Sequence, residues 1–484
     1  MKSATANRRL FRLLATLTRP EYTRLGKFLR SPFFNAADPP RRLYAALKPH
    51  FPNFLPERLV PAALWTKVYP ERPFRETGFW RLCSDLSKLV ERFLVEVELE
   101  RQPQRASLLG LKGLARRSDY VLFQRAYHQF LEKQDRQPLR DATYFIDRYT
   151  ALELAAEHPA RDRYRSADSI LEELMRHHRT YAELKLLYLG ILVENRNRVF
   201  GLAQRADVRQ EVTGMTQNPE QLAGTALLAA YSLARNPDVL LSRSDVDNLL
   251  QNMTGLGLRE RQVVYFNLLN TLIRQYNQGN VALPAIIVVV YNYGIDTETV
   301  FVNHKIRVGT VINMVIQACL AGEIGWGRDA MHKVRLKLPD EHKADLELYA
   351  NGIFDYYEGY FEDALHALDQ IDFRNVLISI LARNLVVRIC WERFVGGDVA
   401  FGTVLELRIN SFRQFLYRLK RMDKRRIEGQ LYFLRLVEWL FKQYRRQGKL
   451  TDTDNEYILN YMARYPNTTA KRWFMEIVKE EGTR

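Results

Sequence analysis

LYANGIFDYYEGYFEDALHALDQI, Leu348–Ile371, decides how the rest of the chain is read. Leu348, Gly352, Phe354 and Tyr356 recur at spacings that place most of them on one side of a helix with 3.6 residues per turn. Gly352 removes a side chain where a second helix would need to come close. Gly359 stands where the chain must reverse, and glycine enters the left-handed region without steric cost. Phe361, Ala364, Leu365 and Leu368 then form one face of a second helix, with Ala364 small enough to let two helices touch. The expectation is a helical hairpin turning at Glu358-Gly359.

The same kind of turn recurs. Small-residue breaks fall at Gln278-Gly279-Asn280, Gly322, Gly359 and Gly396-Gly397, and the intervals counted from Gly279 through Gly322 and Gly359 to Gly397 are 43, 37 and 38 residues. Apolar-periodic runs precede the turns: Val264–Tyr276, Val311–Leu320, Leu348–Tyr357 and Leu381–Phe394. Periods between about 20 and 50 residues are what stacked helix pairs produce, since one pair cannot bury its apolar face alone.

The unit at 345–371 resembles the tetratricopeptide repeat through Leu348, Gly352, Tyr356, Gly359, Phe361, Ala364 and Leu368. That resemblance implies two antiparallel helices per repeat, stacked into a right-handed superhelix with a concave binding face. It departs from the family at Asn351, usually aliphatic, at Ile371, usually small, and at Val376, usually proline. The stretch FLRSPFFN, Phe28–Asn35, resembles one near the start of a group of uncharacterised bacterial proteins and implies no activity. The expected fold is all-α: a basic N-terminal helical module over 1–103, then an irregular α-solenoid of antiparallel helix pairs over 104–484.

At 484 residues the chain exceeds one ordinary core and suits two domains or one elongated array. With 47% hydrophobic and 26% charged residues it belongs with globular chains, not disordered ones. The longest apolar run, Val281–Tyr291, is 11 residues and contains Pro284, too short for a bilayer that needs about 20. Leu10–Leu17 is broken by Arg12 and shows no cleavage site, so no secretion signal is expected. Cys83, Cys319 and Cys390 form neither a metal spacing nor a disulfide framework, which predicts a reducing, cytoplasmic setting.

The net charge of +16 is unevenly spread. Residues 1–50 carry eleven Lys and Arg against two Asp and Glu, and residues 401–449 carry thirteen against four, so the middle of the chain is nearly neutral.

Along the chain, Asn7–Leu17 reads as a short amphipathic helix, and Thr18 as the cap of a second, Glu21–Arg30, with Pro20 in its first turn. A long helix runs from about Arg75 to Arg101 and stops at Gln102-Pro103-Gln104. Helices then follow over Asp119–Gln134, Asp141–Glu157, Ser166–Arg198 (opened by Ser166 or Asp168), Pro219–Ala234 and Ser244–Met253. Ala285–Val290 is rich in β-branched residues, but no partner strand is visible, so it is read as a buried helix. Beyond Gly397 come a helix to Arg421, another over Asp423–Arg446, one begun by Thr453 or Asp454 after Gly448, and a last one over Thr469–Glu480.

No catalytic constellation emerges, and no enzyme, cofactor or metal is expected. Glu173 and His177 share a helical face beside His178 without a third ligand. Asp452-Thr453-Asp454-Asn455 opens like a calcium loop, but Tyr457 and Ala463 stand where the glycine and the bidentate acid belong. Gly255-Leu256-Gly257 lacks a preceding strand, and Glu260 takes the place of its final glycine.

Two recognition surfaces are expected instead. Asn351, Asp355 and Glu358, on the polar side of the first hairpin helix, are candidates for a groove holding a partner protein or peptide, the function the resemblance implies. Arg413, Tyr417, Lys420 and Lys424, with Arg435, Lys442 and Arg446 on the following helix, form a basic surface interleaved with an aromatic. Such a surface can follow a phosphate backbone, which makes RNA or DNA binding the alternative.

Overall fold

The helix Lys343–Glu358 closes on Gly359 at φ 85°, and the helix Phe361–Asp369 returns along it. A Cβ at Gly352 would stand 2.7 Å from Leu368 Cγ and 3.3 Å from the Ala364 carbonyl oxygen, so the missing side chain sets the separation of the pair. Ala364 and Leu368 are buried. Buried Asp345 accepts the Asp372 N–H at 3.1 Å, which ties the exit of the second helix to the start of the first.

This geometry comes from a computed structural model that describes residues 9–117, 119–160, 169–201, 222–372, 375–419 and 424–481. Among them are 22 α-helices and no strand. Ala285–Val290 lies within the helix Leu283–Asp296, where burial of Ile287, Val288 and Val290 overrides the β-branched preference. The other turn glycines, Gly279, Gly322, Gly397 and Gly448, share the positive φ of Gly359.

Caps fix several boundaries. Thr18 and Glu21 form a reciprocal capping box on the helix Arg19–Phe28. Ser242 and Asp245 do the same for Arg243–Asn252. The helix Asp452–Arg464 is capped by Thr451 rather than by Thr453 or Asp454, because Asp454 sits at the third helical position and returns its carboxylate to the Thr451 N–H. Ser166, Asp168 and Pro219 lie outside the described residues.

The chain divides into two compact units, one of residues 1–138 and 143–181, the other of 139–142 and 182–484. The first unit holds two cores. One gathers Phe11, Leu14, Leu25, Leu43, Val68, Phe79, Leu86 and Val90 among others from residues 10–97. The other is built on Leu111, Phe123, Phe130, Ala151 and Ala155. The boundary expected at 103 falls between these two cores.

In the second unit, from the helix Leu258–Asn277 onward, each helix packs on the next. Alternate helices also touch: Leu222–Arg235 with Leu258–Asn277, Val308–Leu320 with Lys343–Glu358, Lys343–Glu358 with Val376–Val395, and Val376–Val395 with Lys424–Gln447. Buried amides join the neighbours. Asn267 Nδ2 donates to Ala230 O at 2.9 Å, Gln275 Nε2 donates to Val239 O at 2.7 Å, and Asn384 Nδ2 donates to Gln430 Oε1 at 2.9 Å.

The last helix, Lys471–Glu481, is held by residues distant in sequence. Trp473 Nε1 donates to Glu392 Oε1 at 2.8 Å, Phe474 packs 5.7 Å from Phe433, and Arg472 donates to the Tyr276 hydroxyl at 3.2 Å. No helix among the described residues is long and apolar enough to cross a membrane.

Candidate functional site

One face of the helix Leu258–Asn277 is left open as the wall of a groove of about 510 Å³. Arg259, Gln262, Val263, Phe266, Asn267, Asn270 and Arg274 lie three, four or one residues apart along it, the spacing of a single helical face. The opposite wall comes from Tyr188, Leu192, Asn195 and Arg198 on the helix Ile170–Phe200, and Val302 and Arg307 close one side. The floor is therefore aliphatic and aromatic, and the rim carries four guanidinium groups and several amides.

The polar groups are arranged rather than scattered. Arg198 donates to Asn195 Oδ1 at 3.3 Å and to the Ala234 carbonyl, which holds its guanidinium at the rim. Burial pushes the Arg198 pKa down, Arg274 adds to that by like-charge repulsion, and Glu194 and Asp238 pull the other way. Arg307 lies 5.7 Å over the Phe266 ring, and Lys185 lies 5.3 Å over Tyr188. Gln262 Nε2 donates to Phe301 O, leaving its oxygen as an acceptor. Asn267 spends Nδ2 on Ala230 O, and its buried Oδ1 has no partner among the described residues. No Asp or Glu lines the groove among the described residues. Glu194 and Glu260, on the same two helices, are taken up by Arg235 at 3.9 Å and Lys185 at 2.9 Å.

The groove candidates read from the hairpin are placed differently. Asn351 is exposed. Asp355 and Glu358 both bind Arg328 of the helix Ile324–Val334, at 2.8 and 2.7 Å, and Arg328 also lies 5.2 Å over Phe354. Their carboxylates join neighbouring helices. Tyr356, expected on the packing face, is buried; it accepts from Arg388 at 2.8 Å and donates to Glu392, the same carboxylate that receives Trp473.

The basic surface is partly neutralised. Arg413 binds Glu438, and Lys442 reaches the same carboxylate at 3.3 Å. Burial opposes ionisation of Glu438, but these two cations outweigh it and hold its pKa below the usual range. Arg435 lies 5.9 Å over Tyr432. Tyr417, Lys424 and Arg446 are exposed, and Lys420 lies outside the described residues. The expected stripe from Arg413 to Lys424 is interrupted, because Leu419 takes an extended conformation and ends the helix Ala400–Arg418. Lys424 opens the next helix, Lys424–Gln447, and no glycine or proline announces the break.

A second basic pocket, of about 350 Å³, lies in the first unit. Arg19, Lys27, Arg30 and Lys48 surround Tyr22, Tyr44 and Phe51 there. Tyr44 donates to Tyr22 O at 2.7 Å, and Phe51 stacks on Tyr22 at 4.3 Å.

His177 is buried 5.8 Å from the Phe145 ring with neither ring nitrogen bonded among the described residues, and His178 lies 5.5 Å from the Tyr149 ring. Burial, then Arg176 and Arg148, push the His177 pKa down to about 4. Among the described residues no three His, Cys, Asp or Glu side chains gather as metal ligands. The three cysteines are buried and form no disulfide among the described residues, and burial first of all raises the Cys319 thiol to about 12 and the Cys390 thiol to about 11.

The groove along Leu258–Asn277 escaped sequence reading because its lining comes from three separate segments. The signal present was the recurrence of Arg259, Gln262, Asn270 and Arg274 on the face opposite Val264, Leu268 and Leu272. Comparison with protein-family models, curated proteins and solved structures gives no match.

Proposed function

We propose that the second unit is an irregular, tetratricopeptide-like α-solenoid of right-handed sense, and that the protein is a non-enzymatic scaffold holding a partner protein or peptide. The observation that carries this reading is the groove along Leu258–Asn277, where an open apolar floor is rimmed by arginines and amides with no carboxylate among the described residues. Interfaces draw most of their energy from a few desolvated aromatic and Arg anchors, and this groove offers both. The alternating packing of helices supports the solenoid, since each pair buries its apolar face on the next. The high thiol pKa values of Cys319 and Cys390 favour an inert structural role for them in a reducing cytoplasm. Affinity capture with the full-length chain in native, nuclease-treated lysate is expected to retain a protein near one-to-one stoichiometry. Recovery of no stoichiometric protein would remove the reading.

A second reading, RNA or DNA binding, is favoured by the first-unit pocket, where four cations surround an aromatic cluster with no Asp or Glu among its lining residues. It predicts affinity for oligonucleotides that falls steeply with salt, because phosphate contacts release counterions. Salt-insensitive or absent binding in a gel-shift titration would eliminate it. The exposed Lys424 and Arg446 would contribute, whereas Arg413 is committed to Glu438.

A further inference from the structure

The open face of the helix Leu258–Asn277 runs from Arg259 to Arg274, fifteen residues, which at 1.5 Å per residue is roughly 22 Å. An extended chain advances about 3.3 Å per residue, so this length accommodates about seven residues. Four arginines stand along it, and no ion pair satisfies any of them among the described residues. Arg274 lies close enough to disfavour the Arg198 charge, against the pull of Glu194 and Asp238, and an anion bound between the two guanidinium groups would relieve that repulsion.

We propose that this groove takes an extended acidic peptide of about seven residues, its carboxylates paired with Arg198, Arg259, Arg274 and Arg307 and its apolar side chains seated on Val263, Phe266 and Leu192. The assignment rests on the scaffold reading and names the kind of partner segment. Guanidinium pairs with carboxylate in a two-pronged geometry, which gives direction as well as attraction. The amides of Asn195, Gln262 and Asn270 supply donors and acceptors together, which match peptide groups. A nucleic acid strand fits less well. One face of each groove aromatic is already covered by a cation, Lys185 on Tyr188 and Arg307 on Phe266, so the rings are poor platforms for stacked bases and serviceable as apolar floor.

The test selects phage-displayed random heptapeptides on the purified full-length chain. The same selection is run on two variants, Arg259→Glu/Arg274→Glu in the groove and Lys449→Glu/Lys471→Glu at exposed positions elsewhere in the second unit. Circular dichroism verifies that each is folded, and Arg259→Gln/Arg274→Gln replaces the groove variant if it is not. Enriched peptides are expected to carry at least two net negative charges and one large apolar residue. By fluorescence anisotropy their affinity should fall tenfold or more in the groove variant and less than twofold in the other. Groove-dependent enrichment of neutral or basic peptides would overturn the acidic assignment and leave the scaffold reading standing. No groove-dependent enrichment would overturn the assignment of the groove itself, while partner capture separately decides the scaffold reading. Groove-dependent binding of a 12-nucleotide polyuridylate in place of peptides would overturn it in favour of nucleic acid.

Discussion

Two residues whose side chains are small or missing control the central hairpin. A Cβ at Gly352 meets Leu368 at 2.7 Å, and Ala364 is fully buried between the helices. Overpacking such a contact costs about 1–3 kcal/mol, so Gly352→Val and Ala364→Trp should each lower the urea midpoint by that equivalent. Gly110 makes the control, because it lies within the helix Pro103–Ala115 and a Cβ there would meet nothing within 4 Å. Gly110→Ala should instead stabilise by about 0.5–1 kcal/mol through lower chain entropy. An unchanged midpoint in Ala364→Trp would place that residue outside the helix contact. His177 gives a pH signature at the same scale. Its folded pKa is near 4 and its unfolded pKa near 6.5, so between these values the unfolded chain binds more protons. The stability contribution is complete above about pH 6.5 and is lost as the pH falls toward 4. The groups facing the ring, Arg176 and Arg148, are cations that deepen the effect, with Arg148 itself bound to Asp135. His177→Leu should flatten that part of the profile by about 1–2 kcal/mol in denaturant titrations at pH 7 and pH 4.5. A parallel profile in wild type and variant would mean that the imidazole titrates normally.

At the scale of the helix, what the sequence discloses is local. Thr18 announces its helix because the hydroxyl, the proline in the first turn and Glu21 are all neighbours. Gly359 announces the hairpin because a left-handed residue must end a helix that reverses. The long helix Glu76–Arg101 announces itself through Phe79, Leu82, Leu86, Val90 and Phe93, which recur on one face. Pairings between distant helices leave no comparable trace. Asp355 and Glu358 read as exposed polar residues, yet Arg328 lies about 30 residues before them and claims both. Arg413 reads as part of a free basic stripe, yet Glu438 on the next helix neutralises it. Helical period tells which residues share a face, and only packing tells whether that face meets solvent or another charge. The groove beside Leu258–Asn277 was hidden for the same reason, since half of its rim belongs to Arg198 and Arg307.

Across the second unit the last helix acts as a tie between rows that are far apart in sequence. Trp473 is buried, donates to Glu392 on the helix Val376–Val395, and lies with Arg388 5.6 Å over its ring. Phe433 on the helix Lys424–Gln447 packs 6.0 Å from Trp473 and 5.7 Å from Phe474. Arg472 extends the tie to Tyr276, at the end of the helix that walls the groove. Truncating a buried tryptophan costs about 3–5 kcal/mol through lost transfer energy and the cavity left behind. Here Trp473→Ala also strips a donor from a partly enclosed carboxylate, which adds a desolvation penalty. Native-state hydrogen exchange should therefore show amides of Val376–Val395 and Lys424–Gln447 losing protection in this variant, with a smaller loss near Tyr276. The first unit's core over residues 10–97, which draws only on that unit's residues, should keep its protection. Exchange that changed only within Lys471–Glu481 itself would mean that the terminal helix rests on the unit without bracing it, and the groove's outer wall would then owe its position to the neighbouring helices alone.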